Sequence, residues 1–276
     1  MKIKSIFIIG FLIFILALSV LFNNNTFEGY ENKKYNVAIC YWGLTSSTKY
    51  IYDNHEKKLF DILKNNNIDY DVYLHTWKVD KQIRWSDESS SVVEVNTSID
   101  YDEYKLLNPY KYKIDNQDEF LDSITFSDYF DKELYDKYGD SQHEWKPELI
   151  RNHLCALESQ KRVTQMCIDE NKNYDFVIYV RPDVELHDNI PVDIFDNLKN
   201  EEIAIPNNGH WDGYNDKFAI TPFNDCAKYG KRIDEIVEYR KTQGRIVSEV
   251  YTKYTINKYF NNVHYVDFNF SVIKPK

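Results

Sequence analysis

The sequence predicts an α/β fold with a mixed, mostly parallel sheet flanked by helices. A strand, a helix and a second strand open the globular region, and a long amphipathic helix later leads into a continuously apolar strand. The chain has 276 residues, of which 43% are hydrophobic and 28% charged. That composition fits one globular domain, which we place at residues 35–276.

The opening unit begins with the strand candidate YNVAICYW, Tyr35 to Trp42, which ends at Gly43. Tyr50 to Asn65 predicts a helix, because its apolar positions recur at helical spacing: Ile51, His55, Leu59, Ile62 and Leu63. Ile68 to Trp77 predicts the second strand. The next stretch, Lys78 to Lys146, is less regular, and we interpret it as a variable insertion with short strands near Val92 to Val95 and Tyr110 to Ile114.

A long helix starting near Pro147 is predicted by apolar and polar positions on one face: Leu149, His153, Ala156, Leu157, Gln160, Val163 and Cys167. Tyr174 to Val180 follows as a uniformly apolar strand, typical of a parallel strand covered on both faces. The remaining candidates are strands at Ile203 to Ile205, Phe218 to Ile220 and Val263 to Ile273, and helices at Asn224 to Tyr239 and Ser248 to Tyr259.

The N-terminus carries a targeting signal. Lys2 and Lys4 precede an uncharged apolar run, Ser5 to Phe22, which as a helix would span roughly 27 Å, close to the hydrocarbon thickness of a bilayer. We expect residues 1–22 to be a single-pass anchor with a cytoplasmic N-terminus, residues 23–34 a linker, and the rest luminal or extracytoplasmic. A cleaved signal peptide ending at Ala17-Leu18-Ser19, and hence a secreted protein, is the alternative.

Charge and cysteine content exclude several classes of protein. A formal charge of -10 argues against a nucleic acid partner, and an acidic protein that binds a diphosphate needs a metal or a few placed cations. The four cysteines have no zinc-site spacing, so buried free thiols are expected. Asn24, Asn96 and Asn269 begin N-x-S/T sequons that a eukaryotic secretory lumen would glycosylate.

An acidic pair follows the apolar strand in Arg181-Pro182-Asp183-Val184-Glu185. On an extended backbone Arg181, Asp183 and Glu185 would share one face, at the sheet edge where α/β folds bind ligands. Two carboxylates suit a Mn²⁺ or Mg²⁺ ion that also binds phosphate oxygens. The alternative is structural, with Arg181 and Asp183 forming an ion pair that closes the strand end.

The motifs YDFVIYVRPDVEL (174–186), GYNDKFAI (213–220) and Ser248-Glu249, in this order after a helix carrying Asn152 and Ser159, resemble a group of GT-A-type glycosyltransferases found in bacteria and large DNA viruses. The resemblance covers most of residues 35–276. It implies a Rossmann-like GT-A fold, a UDP- or GDP-sugar donor, a divalent metal and a glycan, glycolipid or protein acceptor.

By this resemblance, Asp183 and Glu185 occupy the metal-binding D-x-D positions, with Glu in place of the second Asp, and Arg181 contributes to donor binding. Asn152 and Ser159 correspond to polar helix positions that face the donor. A solvated helix face is the structural alternative for both.

The acceptor side is predicted at the loop Trp211-Asp212-Gly213-Tyr214-Asn215-Asp216, where Asp216 could be the base or could form an Asx-type turn. Glu249 is the other candidate base, and its structural alternative is a favourable carboxylate at a helix start. His264 could add a metal ligand, although a lone histidine beside a strand is more often structural.

Two other functions compete. A non-catalytic, secreted sugar-binding module with a degenerate transferase fold would keep the same elements. A metal-dependent phosphodiester hydrolase would need more clustered His and Asp. The sequence has no G-x-S-x-G, P-loop or H-E-x-x-H motif, which argues against the common hydrolases, kinases and zinc proteases.

Overall fold

The computed structural model describes residues 35–86, 91–95, 100–138 and 146–273. The predicted anchor at 1–22, the linker at 23–34 and the sequons at Asn24 and Asn96 lie outside these residues. Residues 35–276 form one compact unit. Within the described ranges, no helix combines the length and the apolar character that crossing a bilayer requires.

Groups of strands and groups of helices follow one another along the described residues. The strands are β1 Asn36–Trp42, β2 Asp69–Lys78, β3 Gln82–Ser86, β4 Ser91–Val95, β5 Lys111–Asn116, β6 Phe176–Val180, β7 Val184–Leu186, β8 Glu202–Pro206, β9 Phe218–Pro222, β10 Asn262–Val266 and β11 Phe270–Val272. The helices are α1 Thr48–His55, α2 Asp61–Asn65, α3 Gln117–Ser123, α4 Lys132–Tyr138, α5 Pro147–Asp169, α6 Ile194–Asn197, α7 Cys226–Gly230, α8 Ile236–Gln243 and α9 Ser248–Tyr259. A π-helical segment, Glu56–Phe60, joins α1 to α2.

Seven strands form the central sheet in the order β10-β8-β9-β6-β1-β2-β5. All are parallel except β9, which runs antiparallel to β6 and β8. The predicted mixed, mostly parallel α/β sheet is therefore confirmed. The chain builds β1, β2 and β5 on one side and then crosses to β6 on the other side of β1. Such a reversal places a crevice outside the carboxyl ends of β1 and β6, where Gly43 and Arg181 follow the two strands.

Both faces of the sheet are covered, which explains the continuous apolar strands. Val37, Ile39 and Tyr41 of β1 pack in a core that also contains Leu59 and Leu63 of the first helical segment. On the opposite face, Ala38, Cys40 and Trp42 pack with Val163 and Cys167 of α5. All four cysteines are free and buried, as predicted.

The predicted element positions are largely confirmed. The helix expected at Tyr50 to Asn65 begins two residues earlier and buries Ile51, His55, Leu59 and Leu63. The long helix begins at Pro147 itself, since proline fits the first helical turn, where its missing N–H costs nothing.

The two short strands expected in the insertion are confirmed as β4 and β5, and β5 is an edge strand of the central sheet. Two other expectations are wrong in detail. Val263 to Ile273 divides into β10 and β11, which belong to different sheets. The helix expected from Asn224 to Tyr239 breaks after Gly230, where a Cβ atom would meet Oγ1 of Thr164 at 2.0 Å.

Candidate functional site

The chain turns sharply after β6. Pro182 and Asp183 lie at the corner of a turn in which the Val184 N–H donates to the Arg181 carbonyl at 3.3 Å. The extended backbone expected from Arg181 to Glu185 is therefore wrong, because β6 and β7 are separate strands in different sheets. β7 pairs antiparallel with β11 in the register Glu185 opposite Ser271.

The Arg181 and Asp183 side chains nevertheless meet, in the ion pair that the sequence left as the structural alternative. Arg181 Nε donates to Asp183 Oδ1 at 2.9 Å, and Arg181 Nη2 donates to Oδ2. Burial would lower the pKa of Arg181, but the nearby carboxylates of Asp183, Asp216 and Glu249 raise it. The guanidinium is therefore a permanent positive charge at the carboxyl end of β6.

Two further predicted residues, Asp216 just before β9 and Glu249 in α9, lie near the Arg181–Asp183 ion pair. Lys217 Nζ lies 2.6 Å from Asp216 Oδ1 and 3.3 Å from Glu249 Oε1. Ser248 Oγ donates to the second oxygen of Asp216. The Arg181 N–H donates to the Lys217 carbonyl at 3.3 Å, which joins the end of β6 to the start of β9.

We call Arg181, Asp183, Asp216, Lys217 and Glu249 the charged cluster. The structure brings four predicted site residues together here and adds Lys217, which sequence reasoning missed. Lys217 carries no motif, and its only signal is its position next to Asp216. The cluster holds three carboxylates and two cations whose side chains are 14% to 31% exposed, so its charges interact in a partly desolvated setting.

The cluster separates the proton affinities of its two candidate bases. For Asp216, burial would raise the pKa, but Lys217, Ser248 and Arg181 together hold it well below the usual range. For Glu249, burial and the negative charge of Asp216 raise the pKa, and Lys217 opposes only part of that increase. Asp216 therefore stays ionised and fully engaged, while Glu249 binds a proton more readily.

The structure also tests the alternatives for these two residues. The Asx-type turn belongs to Asn215, whose Oδ1 accepts from the Lys217 N–H at 2.9 Å, so Asp216 does not form it. Glu249 does lie in the first turn of α9. Its carboxylate also reaches Lys217, so it links the helix start to the charged cluster.

A cleft of about 580 Å³ opens beside the charged cluster. It is lined by His187, Asp188, Asn208, Gly209, Trp211, Asn215, Lys217, Asn269, Phe270, Ser271 and Val272. Lys217 belongs to both the cleft and the cluster, so a molecule in the cleft lies next to the charged groups. Asn269, the one sequon residue within the described ranges, donates from Nδ2 to Asp188 at 2.9 Å inside this cleft.

The segment that carries Glu185 is fixed by α1. The Asn54 amide donates to the Leu186 carbonyl at 2.8 Å and accepts from the Leu186 N–H at 2.8 Å, as a neighbouring strand would. His55 Nε2 contacts the Val184 carbonyl at 2.6 Å, and His55 Nδ1 lies 2.7 Å from the Tyr41 hydroxyl. Burial lowers the pKa of His55 to about 4, so a neutral ring donates from Nε2 and accepts from Tyr41.

Asn152 and Ser159 both bond to the protein backbone through their side chains. Asn152 Nδ2 donates to the Ile83 carbonyl at 2.7 Å, which ties α5 to the β3 strand. Ser159 is fully buried, so the solvated-face alternative is wrong for this residue. Its Oγ accepts from the Gly43 N–H at 2.9 Å and lies 2.7 Å from His75 Nδ1. Ser159 thus shapes the turn after β1, and its hydroxyl is already engaged by protein groups.

His264 is structural. Its Nε2 lies 2.9 Å from Glu202 Oε2, at the amino end of β8. β6 and β8 are both antiparallel to β9 and therefore run in the same direction. The amino end of β8 and the carboxyl end of β6 thus lie at opposite ends of the strands. His264 therefore does not approach Asp183.

Asp183 and Glu185 alone offer too few oxygen ligands for a divalent cation, so a bound phosphate would have to supply the others. Among the described residues, no group of three or more His, Cys, Asp or Glu side chains is arranged to hold a metal ion. A carboxylate has about four lone-pair sites, so Asp183 retains coordination capacity beside Arg181. Mg²⁺ is commonly held by one or two carboxylates with substrate phosphates completing its shell, and Asp183 and Glu185 would supply that number of carboxylates.

Comparison with known proteins adds no family assignment. No family model matches the chain, and no curated protein matches it.

Proposed function

We propose that the chain is a GT-A-type glycosyltransferase, which moves a hexosyl or pentosyl group from a UDP- or GDP-sugar to a hydroxyl of a glycan, glycolipid or protein. The observation that carries the proposal is the charged cluster at the switch point of the sheet, directly beside a cleft. Phosphate binding and proton transfer are needed within a few ångströms of each other in this chemistry, and the cluster offers groups for both.

On the donor side, Arg181 supplies a fixed positive charge for a diphosphate, and Asp183 and Glu185 would hold Mn²⁺ or Mg²⁺. A bound divalent cation would stabilise the charge that develops on the leaving nucleoside diphosphate. Asp183 orients the Arg181 guanidinium through its bidentate contact. β7, held by α1 and β11, positions Glu185.

On the acceptor side, Glu249 is the better general base. A base is most effective when its pKa lies near the working pH, and the surroundings raise the pKa of Glu249 while they lower that of Asp216. Glu249 would take the proton of the acceptor hydroxyl as that oxygen attacks the sugar carbon. Asp216 would remain ionised and hold Lys217 in place.

The alternative is a sugar-binding module with a degenerate transferase fold. One observation favours this alternative. Arg181 contacts both oxygens of Asp183, as expected of a purely structural ion pair at the end of β6. The two functions differ in metal-dependent donor binding and in turnover, and both can be measured.

The experiment is a thermal-shift titration of the full-length protein in detergent with UDP- and GDP-sugars, with and without Mn²⁺. We expect a donor-selective rise in melting temperature that needs the metal and disappears in Asp183→Asn. Asp136→Asn, which removes an exposed carboxylate paired with Lys132, is the matched control and should retain the rise. Normal donor binding and turnover by Asp183→Asn would overturn the metal-assisted mechanism, and donor-independent sugar binding without turnover would favour the binding module.

A further inference from the structure

Trp211 is unusually exposed for a tryptophan beside a cleft. Its side chain is 71% accessible, and it lines the cleft described above. An isolated exposed aromatic side chain needs no explanation by itself. The backbone that presents Trp211, however, is held in a strained and well-anchored conformation.

Trp211 and Asp212 both adopt left-handed backbone angles, with φ of +40° and +65°. Residues other than glycine rarely adopt such angles, and they persist only where the surrounding structure enforces them. The strained backbone of Trp211 and Asp212 therefore requires that the adjoining residues be held firmly.

Those attachments are present in the following residues. The Gly213 N–H donates to the His210 carbonyl at 2.7 Å, and the Tyr214 N–H donates to the Glu249 carbonyl at 2.8 Å. Asn215 is fully buried, and its Nδ2 donates to the Asn208 carbonyl at 2.8 Å. The loop is thus fixed to α9 while it keeps the indole in solvent, which favours a preformed binding platform.

The polar groups in the cleft are mostly neutral. Asn208 Nδ2 donates to the Phe268 carbonyl and to Asn269 Oδ1, and Asn269 Nδ2 donates to Asp188, so these amides offer a ligand the Asn208 oxygen and the second Asn269 amide hydrogen. The Ser271 hydroxyl and the His187 ring, which lie 3.0 Å apart, add further polar atoms. A flat aromatic wall facing such groups suits a pyranose, which has a C–H face and a rim of hydroxyls.

The charges in the cleft disfavour an anionic ligand. The Lys217 ammonium is already shared by Asp216 and Glu249, and the Lys58 ammonium, which also favours the ionised form of Asp188, donates to the His187 carbonyl. Donation from the Asn269 backbone and side chain lowers the pKa of Asp188, which therefore remains a negative charge on the wall. Among the described lining residues, Lys217 is the one Lys or Arg, so a carboxylate or phosphate entering the cleft would meet Asp188 without a new cation to balance it.

We propose that this cleft binds an uncharged saccharide, with a pyranose face on Trp211 and hydroxyls on the amides of Asn208 and Asn269. The inference rests on the proposed function, in which this saccharide is the acceptor next to Glu249. It specifies the acceptor class as neutral glycan and makes Asp188 the residue that rejects acidic sugars.

The test measures saccharide binding directly, by saturation-transfer NMR on the full-length protein in detergent. The probes are neutral maltotriose, cellotriose and mannotriose, compared with trigalacturonate. We expect at least one neutral trisaccharide to bind and trigalacturonate to bind at least tenfold more weakly. Trp211→Ala should weaken neutral binding by about tenfold, since an aromatic anchor of a binding site commonly supplies that much. Tyr112→Ala, on the far edge strand β5 and 49% exposed, is the control and should bind normally.

A second variant tests the charge argument by a gain of binding. Both hydrogen bonds from Asn269 go to Oδ2 of Asp188, so Asp188→Asn can keep them through its amide oxygen while losing the charge. We expect Asp188→Asn to bind trigalacturonate several-fold better than the wild type does.

Three results would overturn the inference: equal binding of neutral and acidic trisaccharides by the wild type, unchanged neutral binding by Trp211→Ala, or no neutral binding at millimolar concentrations. If the metal-dependent donor shift persists in any of these cases, only the acceptor inference fails. If the donor shift is absent while neutral saccharides still bind Trp211, the transferase proposal fails and the cleft remains a sugar site.

Discussion

Gly213 is the position where adding one carbon atom should most directly disturb the site. A Cβ atom there would lie 2.0 Å from both the carbonyl carbon and the carbonyl oxygen of Glu249, and 2.3 Å from the Val250 nitrogen. These are backbone atoms of the first turn of α9, which cannot rotate away as a side chain can. Gly213→Ala must therefore push the loop off the helix, and we expect a loss of about 3 kcal/mol, at the upper end for an overpacked site.

That loss should lower the melting temperature by about 6–12 °C for a domain of this size. The assay is urea unfolding of the full-length protein in detergent, followed by circular dichroism, together with donor turnover measured well below the transition. Turnover should also fall, because the displaced loop carries Asp216 away from Glu249. Asp212→Asn is the control, since asparagine tolerates the left-handed φ of +65° and the substitution should change the free energy of unfolding by less than about 0.5 kcal/mol. A Gly213→Ala protein as stable as Asp212→Asn would refute the close contact between loop and helix.

Three further predictions concern proton transfer, strand positioning and pH. Glu249→Gln should reduce kcat by about 10²- to 10⁴-fold with little change in donor-induced thermal shift, because a general base acts in the transfer step and not in donor binding. Asn54→Ala should cost about 1–3 kcal/mol, since it leaves both the N–H and the carbonyl of Leu186 without their partner, and it should weaken metal-dependent donor binding as β7 loosens. Burial lowers the pKa of both His55 and His75 to about 4, so between about pH 6.5 and 4 the unfolded chain binds more protons than the folded protein does. As the pH is lowered through this range, the free energy of unfolding should decrease by about 1.4 kcal/mol per pH unit for each histidine.

Each of these predictions has a result that contradicts it. Full turnover by Glu249→Gln would move the base role to another group. Asn54→Ala with wild-type stability and donor binding would mean that β11 alone fixes β7. A free energy of unfolding that stays constant from pH 6.5 to 4.5 would mean that the two histidines keep ordinary pKa values in the folded protein.

The sequence predicts those parts of the fold that depend on local pattern. The apolar strand before Arg181 and the helix from Pro147 have strong periodicity and a clear start signal, and both are confirmed. β7 escapes prediction as a separate strand, and β11 is predicted only as the end of one strand from Val263 to Ile273, because each has three residues and forms by pairing with the other. The place of β5 at the sheet edge also depends on distant residues, since five of its six side chains are exposed and give no buried face to recognise.

For the candidate site, acidic residues could be predicted but their surroundings could not. Asp183 and Glu185 are recognisable because they follow a buried strand. The contact of Lys217 with Glu249 joins residues 32 positions apart, and no local pattern encodes it. The resemblance implies that Ser159 faces the donor, and no local pattern indicates that its hydroxyl also accepts from the backbone of Gly43.

The pairing of β7 with β11 has a consequence for how the protein is made. Ser271 and Glu185 are separated by 86 positions along the chain, yet they lie side by side in the mature site. During synthesis, every strand of the central sheet has been translated before residues 270–272 are added. A chain that stops at Phe268 would contain all seven strands of the central sheet and the buried Phe268 side chain, while the cleft would lack its wall of residues 269–272 and β7 would lack its partner. Circular dichroism of such a truncated protein would still show the sheet, whereas its cleft would be incomplete. A good yield of folded protein would therefore not indicate binding activity.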